Sequence, residues 1–315
     1  MKLKVVSTRR LTDAISELVF TSSDGGELAA YAPGAHVKFQ LPVGERSYSL
    51  IDFEPRTQEK SVERYRFAVQ LEQESTGGSR HMHGLVPGDE VVASVPANDF
   101  PLIANRPALL VAGGIGITPI ISMATALLHA GTPFRFHYAS RTSEAMAYRE
   151  ELEQAFGAQL ALHFDDQSET GLDLKKLAQS AGADEHVYVC GPKGLIEAVK
   201  SAMDAAGIGP ERIHFELFTS AATQSGDGSF EVQVKSTGEV FEVPPGKSII
   251  EVLEAGGIDV VYDCQRGDCG ICQTDVIEGV PDHRDVVLSD SEKAEGTVMQ
   301  ICVSRAKSAR LVLDL

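Results

Sequence analysis

Apolar and polar residues alternate over short stretches in the first hundred positions, as at 35–41 (AHVKFQL) and 65–71 (YRFAVQL). Alternation with a period of two predicts β-strands that bury one face. Turn signals such as Pro87-Gly88-Asp89 separate the stretches, and several short strands at this spacing predict a small antiparallel barrel. One helix is expected in this region, at 78–85, with His81 and His83 on a solvated face rather than in a metal site.

After Pro101 the pattern changes to continuous apolar runs separated by helical stretches. Residues 108–112 (ALLVA) predict a strand buried on both faces. The helix that follows is expected to have Thr118 as N-cap, Pro119 in its first turn and Gly131 as its stop. Further strands are expected at 134–139, 160–164 and 186–190, and a further helix at 194–206. This alternation predicts a parallel sheet with helices on both faces.

The last third of the chain begins with a small, polar stretch at 219–229 (TSAATQSGDGS), which predicts an interdomain linker. Two strands of a hairpin are expected next, at 230–235 and 239–243. Ser248 and Glu251 form the pattern of a capping box, which predicts a short helix that ends at Gly256-Gly257. Residues 309–315 are expected to form a closing strand.

A length of 315 residues is consistent with two or three domains, and the pattern places them at 1–101, 102–222 and 223–315, the last with the linker at its start. The chain has 45 acidic and 28 basic residues, a net charge of −17, which argues against nucleic acid or an anionic membrane as a partner. No apolar run approaches the roughly 18 residues of a transmembrane helix, and the start MKLKVVSTRR lacks the apolar core of a signal peptide. We therefore expect a cytoplasmic protein.

Cysteine is concentrated near the end of the chain. Residues 226–315 hold 17 acidic and 8 basic residues and four of the five cysteines: Cys264, Cys269, Cys272 and Cys302. Clustered cysteines in a reducing cytoplasm indicate metal ligands rather than disulfides. The spacing C-x4-C-x2-C with a distant fourth cysteine is that of a plant-type [2Fe–2S] cluster, and no histidine lies close enough in sequence for a Rieske-type centre. A structural zinc site is the alternative, although such sites usually combine two C-x2-C pairs.

Two loops follow predicted buried strands. The first, Gly113-Gly114-Ile115-Gly116, opens a helix and can present backbone N–H groups to a phosphate. The second is Cys190-Gly191-Pro192-Lys193-Gly194. Either loop alone could be a tight turn between a strand and a helix. Because both are expected at the carboxyl edge of one sheet, where open α/β sheets bind ligands, they are candidates for a nucleotide site.

Together these motifs resemble a known superfamily. GGIGITPI at 113–120 and VYVCGP at 187–192 are similar to the pyridine-nucleotide domain of the ferredoxin–NADP reductase superfamily. Arg46-Ser47-Tyr48-Ser49 resembles its R-x-Y-S flavin motif, and Gly77-Gly78-Ser79 resembles its flavin-phosphate helix start. With a ferredoxin-like segment from residue 230 onward, the whole chain resembles the phthalate dioxygenase reductase and vanillate demethylase reductase group. The resemblance implies an antiparallel β-barrel flavin domain, an α/β parallel-sheet nucleotide domain and an α+β, β-grasp ferredoxin domain.

For the flavin, the resemblance implies FMN rather than FAD. It implies that Arg46 pairs with the phosphate, that Tyr48 lies against the isoalloxazine and that Ser49 hydrogen-bonds near N5. The remaining implied flavin contacts are Ser47, the phosphate-holding Gly77, Gly78 and Ser79, and the backbone of Ala68, Val69 and Gln70. The residues alone would also allow Arg46 as a surface ion pair and Tyr48 as barrel core. Thr76 and Gln70 stand where the group often has basic residues. Arg46 would therefore compensate more of the negative charge of the phosphate, with Arg80 as a further candidate for this role.

For the nucleotide, the resemblance implies contacts from both loops: Gly113, Gly114, Gly116, Gly191 and Pro192. Ser49, Thr118, Cys190 and Phe218 would surround the place of hydride transfer, with Phe218 covering the flavin. Taken alone, Cys190 and Phe218 would be assigned to the core. Ser140 and Arg141 stand at the ribose position; an arginine there could favour the 2′-phosphate of NADPH, but the group uses NADH, which we expect.

The implied reaction passes electrons from NADH to FMN and then singly to the [2Fe–2S] cluster, whose ligands would be Cys264, Cys269, Cys272 and Cys302. The implied acceptor is the Rieske-type terminal oxygenase component of an aromatic hydroxylating or demethylating system, and we expect the reductase to be a monomer. Three alternatives stay open at this point. They are a flavin and iron–sulfur redox sensor, a reductase for a different electron acceptor, and a flavoreductase with structural zinc.

Overall fold

The computed structural model describes residues 1–54, 61–72, 77–167, 169–218 and 226–315. The chain forms two compact units, Met1–Glu216 and Leu217–Leu315. Within the described ranges, no helix has both the length and the apolar character needed to cross a membrane.

The first part of the first unit is built from short strands: β1 (Lys2–Arg10), β2 (Ile15–Ser22), β3 (Leu28–Ala29), β4 (His36–Leu41), β5 (Gly44–Ser49), β6 (Ser61–Val62), β7 (Tyr65–Gln70) and β8 (Glu90–Ala93). Six of them form an antiparallel sheet in the order β5-β4-β8-β1-β2-β7. Its end strands β5 and β7 lie against each other, which confirms the predicted barrel. The barrel core includes Phe39 and Phe67, whose ring centroids are 5.0 Å apart. Helix α1 (Gly78–Gly84) follows β7.

The second part of this unit is a parallel sheet with strands β9 (Ala108–Gly113), β10 (Phe134–Ser140), β11 (Leu160–Phe164), β12 (His186–Cys190) and β13 (Ile213–Glu216). The strand order is β11-β10-β9-β12-β13. Its helices are α2 (Ile117–His129), α3 (Arg149–Phe156), α4 (Leu174–Gln179) and α5 (Lys193–Ala205), with short 3-10 turns at Gly114–Gly116, Gly157–Gln159 and Pro210–Arg212. Every residue of β9 is buried, as the unbroken apolar run predicts, because β9 lies in the middle of the sheet.

The prediction that Thr118 caps α2 is wrong. The helix begins at Ile117, directly after the turn Gly114–Gly116, so Thr118 is its second residue. The Thr118 hydroxyl donates to the carbonyl of Ile115 at 3.1 Å. The chain is already wound before Thr118 because the glycine-rich turn is itself helical, a feature that the capping pattern does not reveal. The predicted stop is confirmed, since Gly131 follows the last turn with a φ of 63°.

The second unit contains strands β14 (Phe230–Val234), β15 (Val240–Val243), β16 (Gln273–Glu278), β17 (Pro281–Asp282), β18 (Val298–Gln300), β19 (Arg305–Ala306) and β20 (Arg310–Leu313), with helices α6 (Ile249–Ala255) and α7 (Asp290–Glu295). Five strands form a mixed sheet in the order β15-β14-β20-β16-β18, in which β14 and β20 are parallel. The hairpin β14–β15 and the capping box of Ser248 and Glu251 are confirmed. Of the predicted linker, residues 219–225 lie outside the described residues.

Candidate functional site

The R-x-Y-S motif forms the end of β5. Along it, Ser47 is exposed and Ser49 is 5% exposed. Tyr48 is half-buried and packs its ring edge-on against Phe39, with the centroids 5.8 Å apart. Burial raises the pKa of Tyr48 to about 12, so the phenol is neutral at physiological pH. Part of the Tyr48 ring therefore contacts the barrel core, and its place against the isoalloxazine stays a prediction.

The two glycines at the start of α1 lie directly against β5 and the residue before it. A Cβ on Gly78 would come within 2.9 Å of Arg46 Cγ, and a Cβ on Gly77 would come within 2.8 Å of Val43 Cγ1. Gly77 also has a φ of 109°, which favours glycine. The structure thus brings Arg46 to the start of α1, where the hydroxyl of Ser79 accepts the amide of Glu72 at 3.1 Å. A guanidinium beside backbone N–H groups at a helix start fits a phosphate. Thr76 lies outside the described residues.

The outer edge of β7 fits a flat polar ring. The Arg66 carbonyl accepts the N–H of Ile51 at 2.9 Å, which assigns Arg66 to the edge away from β2. Because backbone groups alternate between the two edges of a strand, those of Ala68 and Gln70 share that edge. All three residues have register partners on β2, Glu17 for Ala68, Ser16 for Val69 and Ile15 for Gln70, but by this alternation only the backbone groups of Val69 point toward β2. The backbone groups of Ala68 and Gln70 thus lie on the edge away from β2, and the flavin contacts of Ala68, Val69 and Gln70 stay predictions.

His81 and His83 are both half-buried, and His83 also makes contacts that the expected solvated face does not include. Its Nε2 is 2.8 Å from the carbonyl of Val69 and its Nδ1 is 3.4 Å from the hydroxyl of Ser16. Because a carbonyl only accepts, Nε2 carries the proton and donates. His83 thereby ties α1, which carries the candidate phosphate site, to the strand that carries the candidate ring site.

The two nucleotide loops are in backbone contact. A Cβ on Gly116 would lie 2.2 Å from the Cys190 carbonyl oxygen, and a Cβ on Gly191 would lie 3.0 Å from Gly113 Cα. Only glycine permits this approach. The strands β9 and β12 that lead into the loops are neighbours, so the expected shared carboxyl edge is confirmed. The hydroxyl of buried Tyr138 donates to the Gly114 carbonyl at 3.1 Å, a support that the sequence did not indicate.

The barrel and the nucleotide loops meet inside the first unit, since β7 lies against the turn Gly114–Gly116. Two candidate residues at this meeting place are enclosed, with Thr118 2% exposed and Cys190 0% exposed. Phe218 is half-buried and belongs to the second unit. The catalytic roles of Ser49, Thr118, Cys190 and Phe218 stay predictions.

Ser140 and Arg141 stand at the end of β10, next to the end of β11. The amide of Asp165 donates to the Ser140 carbonyl at 3.0 Å, and that of Asp166 donates to the Arg141 carbonyl at 3.1 Å. The side chains of Arg141, Asp165 and Asp166 are exposed. The neighbouring strand β11 thus brings two acidic residues, Asp165 and Asp166, beside the predicted ribose position, a feature that the sequence around Ser140 does not reveal.

The four clustered cysteines converge in the second unit. Cys264, Cys269 and Cys272 lie in the loop before β16, and Cys302 follows β18. The Cys302 thiol is within hydrogen-bonding reach of Cys264 and Cys272. The contact with Cys302 and the amides around the loop lower the pKa of Cys264, while the same contact raises the pKa of Cys302. The two thiols are therefore close enough to share a proton, and iron would bind them as thiolates.

The cysteine loop has the backbone of an anion-binding cradle. Gln265, Gly267 and Gly270 have positive φ values of 53°, 79° and 79°, and the Arg266 amide donates to Cys264 Sγ at 3.3 Å. A Cβ on Gly267 would lie 2.6 Å from Val303 Cγ2. Four converging thiols surrounded by N–H donors fit a [2Fe–2S] cluster, whose sulfur atoms accept such hydrogen bonds.

Comparison with known proteins agrees with this geometry. Residues 110–201 match the oxidoreductase NAD-binding domain family, and residues 232–307 match the 2Fe-2S iron-sulfur cluster binding domain family. Fold and site thus define an oxidoreductase with a flavin barrel, an NAD-binding domain and an iron–sulfur domain, which removes the zinc alternative.

Relatives along the whole chain are more specific. The chain is 42% identical to a vanillate O-demethylase oxidoreductase of Pseudomonas putida over 296 residues, 92% of each chain. It is 41% identical to a tetrachlorobenzoquinone reductase of Sphingobium chlorophenolicum over 322 residues, 99% of this chain and 97% of the relative. The solved structure of phthalate dioxygenase reductase matches with a TM-score of 0.73 and 36% identity, covering 100% of this chain and 98% of that one. The chain belongs to the family of these reductases, and its cofactors are FMN, NADH and a [2Fe–2S] cluster.

Proposed function

We propose that this protein is the cytoplasmic, monomeric reductase of an aromatic oxygenase or demethylase system and that it reduces the Rieske centre of the terminal oxygenase. The observation that carries the proposal is the meeting of β7 with the turn Gly114–Gly116. A flavin ring on the edge of β7 and a nicotinamide beside the glycine loop would be neighbours there. The same chain supplies the four cysteines of a one-electron carrier.

The roles of the chain's own residues follow from their positions. Arg46 and the amides at Gly77–Ser79 bind the flavin phosphate, while Ala68 and Gln70 hydrogen-bond the ring edge. The glycine loops bind the dinucleotide, and enclosed Thr118 and Cys190 exclude water from the place of transfer. Bound FMN supplies the conversion of a two-electron donor into single electrons, so the protein needs to position and shield rather than to act as an acid or base.

The proposed partner is supported by the names of the relatives. Besides the P. putida vanillate enzyme, a phenoxybenzoate dioxygenase subunit beta of Ectopseudomonas oleovorans is 40% identical over 91% of this chain. The acidic excess of residues 226–315 supports docking to a partner with a basic surface.

The test combines an anaerobic NADH titration with turnover assays. The titration should bleach a flavin band and an iron–sulfur band in sequence, and NADH should then drive product formation by Rieske oxygenases that act on aromatic substrates. Reduction of an oxygenase should slow as salt rises, because salt screens the docking charges. Transfer to cytochrome c without transfer to any oxygenase would contradict the partner.

A second candidate function is direct quinone reduction, which the 41% identity to the tetrachlorobenzoquinone reductase favours. Adding a chlorinated benzoquinone to the NADH-reduced protein distinguishes the two. Rapid reoxidation by the quinone together with slow reoxidation by every oxygenase would favour the quinone.

A further inference from the structure

The boundary between the two compact units falls between Glu216 and Leu217. Glu216 is the last residue of β13, where it pairs with Cys190 of β12, and it is 2% exposed. The chain is therefore part of the parallel sheet of the first unit up to Glu216, the last residue before the boundary.

The second unit holds the chain from the next residue onward. The N–H of Leu217 donates to Asp268 Oδ2 at 2.9 Å. Asp268 lies between the candidate ligands Cys264 and Cys269, is 3.4 Å from Arg266 Nε, and has a side chain that is only 5% exposed. Because the Asp268 side chain is shielded from solvent, water does not compete readily for this hydrogen bond.

A second attachment follows at Asp227. Arg284 donates to both carboxylate oxygens of Asp227, at 2.5 and 3.0 Å, and the two side chains are 7% and 6% exposed. Arg305 donates to the carbonyl of the next residue, Gly228, at 3.0 Å. The chain is therefore bonded to the second unit on both sides of 219–225, the stretch that lies outside the described residues.

We propose that the pivot between the units consists of the ψ torsion of Glu216 and the φ torsion of Leu217, because the peptide bond between them is planar and does not rotate, and that Asp268 is the positioning residue that fixes the pivot there. The polar stretch at 219–229 is attached to the second unit at both ends. Its length therefore does not set how far apart the two units can move, and it does not control how often the flavin and the cluster meet. The inference rests on the proposed function, because electron transfer from flavin to cluster is the step that the pivot governs.

The experiment changes the length of the stretch in the holoprotein. About 20 Gly and Ser residues are inserted between Ala222 and Thr223, in the unchanged chain, in an Asp268→Ala variant and in an Asp263→Ala variant. Asp263 is an exposed carboxylate next to Cys264, so its removal is a matched control for the loss of charge near the cluster. Stopped-flow absorbance after NADH addition then gives flavin reduction and cluster reduction as separate rates.

In the unchanged chain and in Asp263→Ala, we expect the insertion to leave the cluster reduction rate unchanged. In Asp268→Ala the tether grows from about 10 to about 30 residues, and the −3/2 power of length predicts a loss of about fivefold. A fivefold loss in the unchanged chain, or no length dependence in Asp268→Ala, would overturn the inference. If NADH fails to reduce the flavin, the proposed function has failed instead.

Hydrogen exchange of the Leu217 amide gives a readout that does not depend on turnover. In the resting, oxidised protein we expect slow exchange, and in Asp268→Ala we expect fast exchange. Fast exchange in the unchanged chain would overturn the inference. Should Asp268→Ala lose its cluster, the insertion in the unchanged chain and the exchange of Leu217 still decide the question.

Discussion

The hydroxyl of Ser122 donates to the carbonyl of Leu50 at 2.8 Å and accepts the amide of Asp52 at 3.0 Å. Leu50 directly follows Ser49, the last residue of the flavin motif, and Ser122 lies one turn beyond Thr118 in α2. One buried hydroxyl therefore joins the strand that presents Ser49 to the helix that presents Thr118.

Replacement of Ser122 by alanine should loosen this junction. Two buried backbone groups would lose their partner, at a cost of about 1–3 kcal/mol, so we expect a fall in Tm of several degrees and slower flavin reduction by NADH. Thermal unfolding and stopped-flow absorbance of the holoprotein measure the two effects. Ser201→Ala, on the exposed face of α5, is the control and should change neither. An unchanged Tm in Ser122→Ala would contradict the junction.

Arg46 should control the affinity for FMN. Its side chain crosses the start of α1 at Gly78. Arg46→Ala should remove a charged hydrogen bond of about 1.5–3 kcal/mol, which corresponds to roughly a tenfold to hundredfold rise in the FMN Kd. The rise is measured by flavin fluorescence on dilution. Arg64→Ala removes an exposed arginine of the same barrel and should leave the Kd unchanged. Equal behaviour of the two variants would refute the phosphate role.

The backbone contact between the nucleotide loops predicts opposite results for two glycines. In Gly116→Ala the new Cβ would lie 2.2 Å from the Cys190 carbonyl oxygen, so β9 and β12 must separate and NADH binding should be lost. Gly194, inside α5, has no atom within 4 Å of an added Cβ, and Gly194→Ala should be neutral or stabilise by about 0.4–1 kcal/mol. NADH titration and thermal unfolding of both variants check this contrast. Retention of NADH affinity in Gly116→Ala would contradict the shared edge.

Asp165 and Asp166 should disfavour NADPH. Their amides bond the carbonyls of Ser140 and Arg141, which places two exposed carboxylates beside the ribose position. A 2′-phosphate would be repelled by about 1 kcal/mol per charge in water. The double variant Asp165→Asn, Asp166→Asn should therefore lower the KM for NADPH several-fold at low salt and leave that for NADH unchanged. Asp204→Asn, on α5, is the control. A KM for NADPH that stays constant would contradict the repulsion by Asp165 and Asp166.

Signals contained within one segment could be predicted from the sequence. Three features depend only on neighbouring residues and were predicted correctly. They are the spacing of Cys264, Cys269 and Cys272, the capping box of Ser248 and the unbroken apolar run of β9. Ser122, His83 and Asp166 have no local signal, since each acquires its role from a backbone group that is distant in sequence. For Thr118 a local signal was present but misleading. The capping pattern predicted an N-cap, whereas the helical glycine turn before it makes Thr118 the second residue of α2.

The complete burial of Cys190 has a practical consequence for handling the protein. An alkylating reagent should not reach this thiol in the folded chain, and the other four cysteines are expected to be occupied by iron. Intact, loaded protein should therefore incorporate no label, while protein that has lost its cluster should be labelled, first at the half-buried Cys264 and Cys269. Mass spectrometry after brief alkylation then becomes a direct count of how many molecules in a preparation carry the iron–sulfur centre.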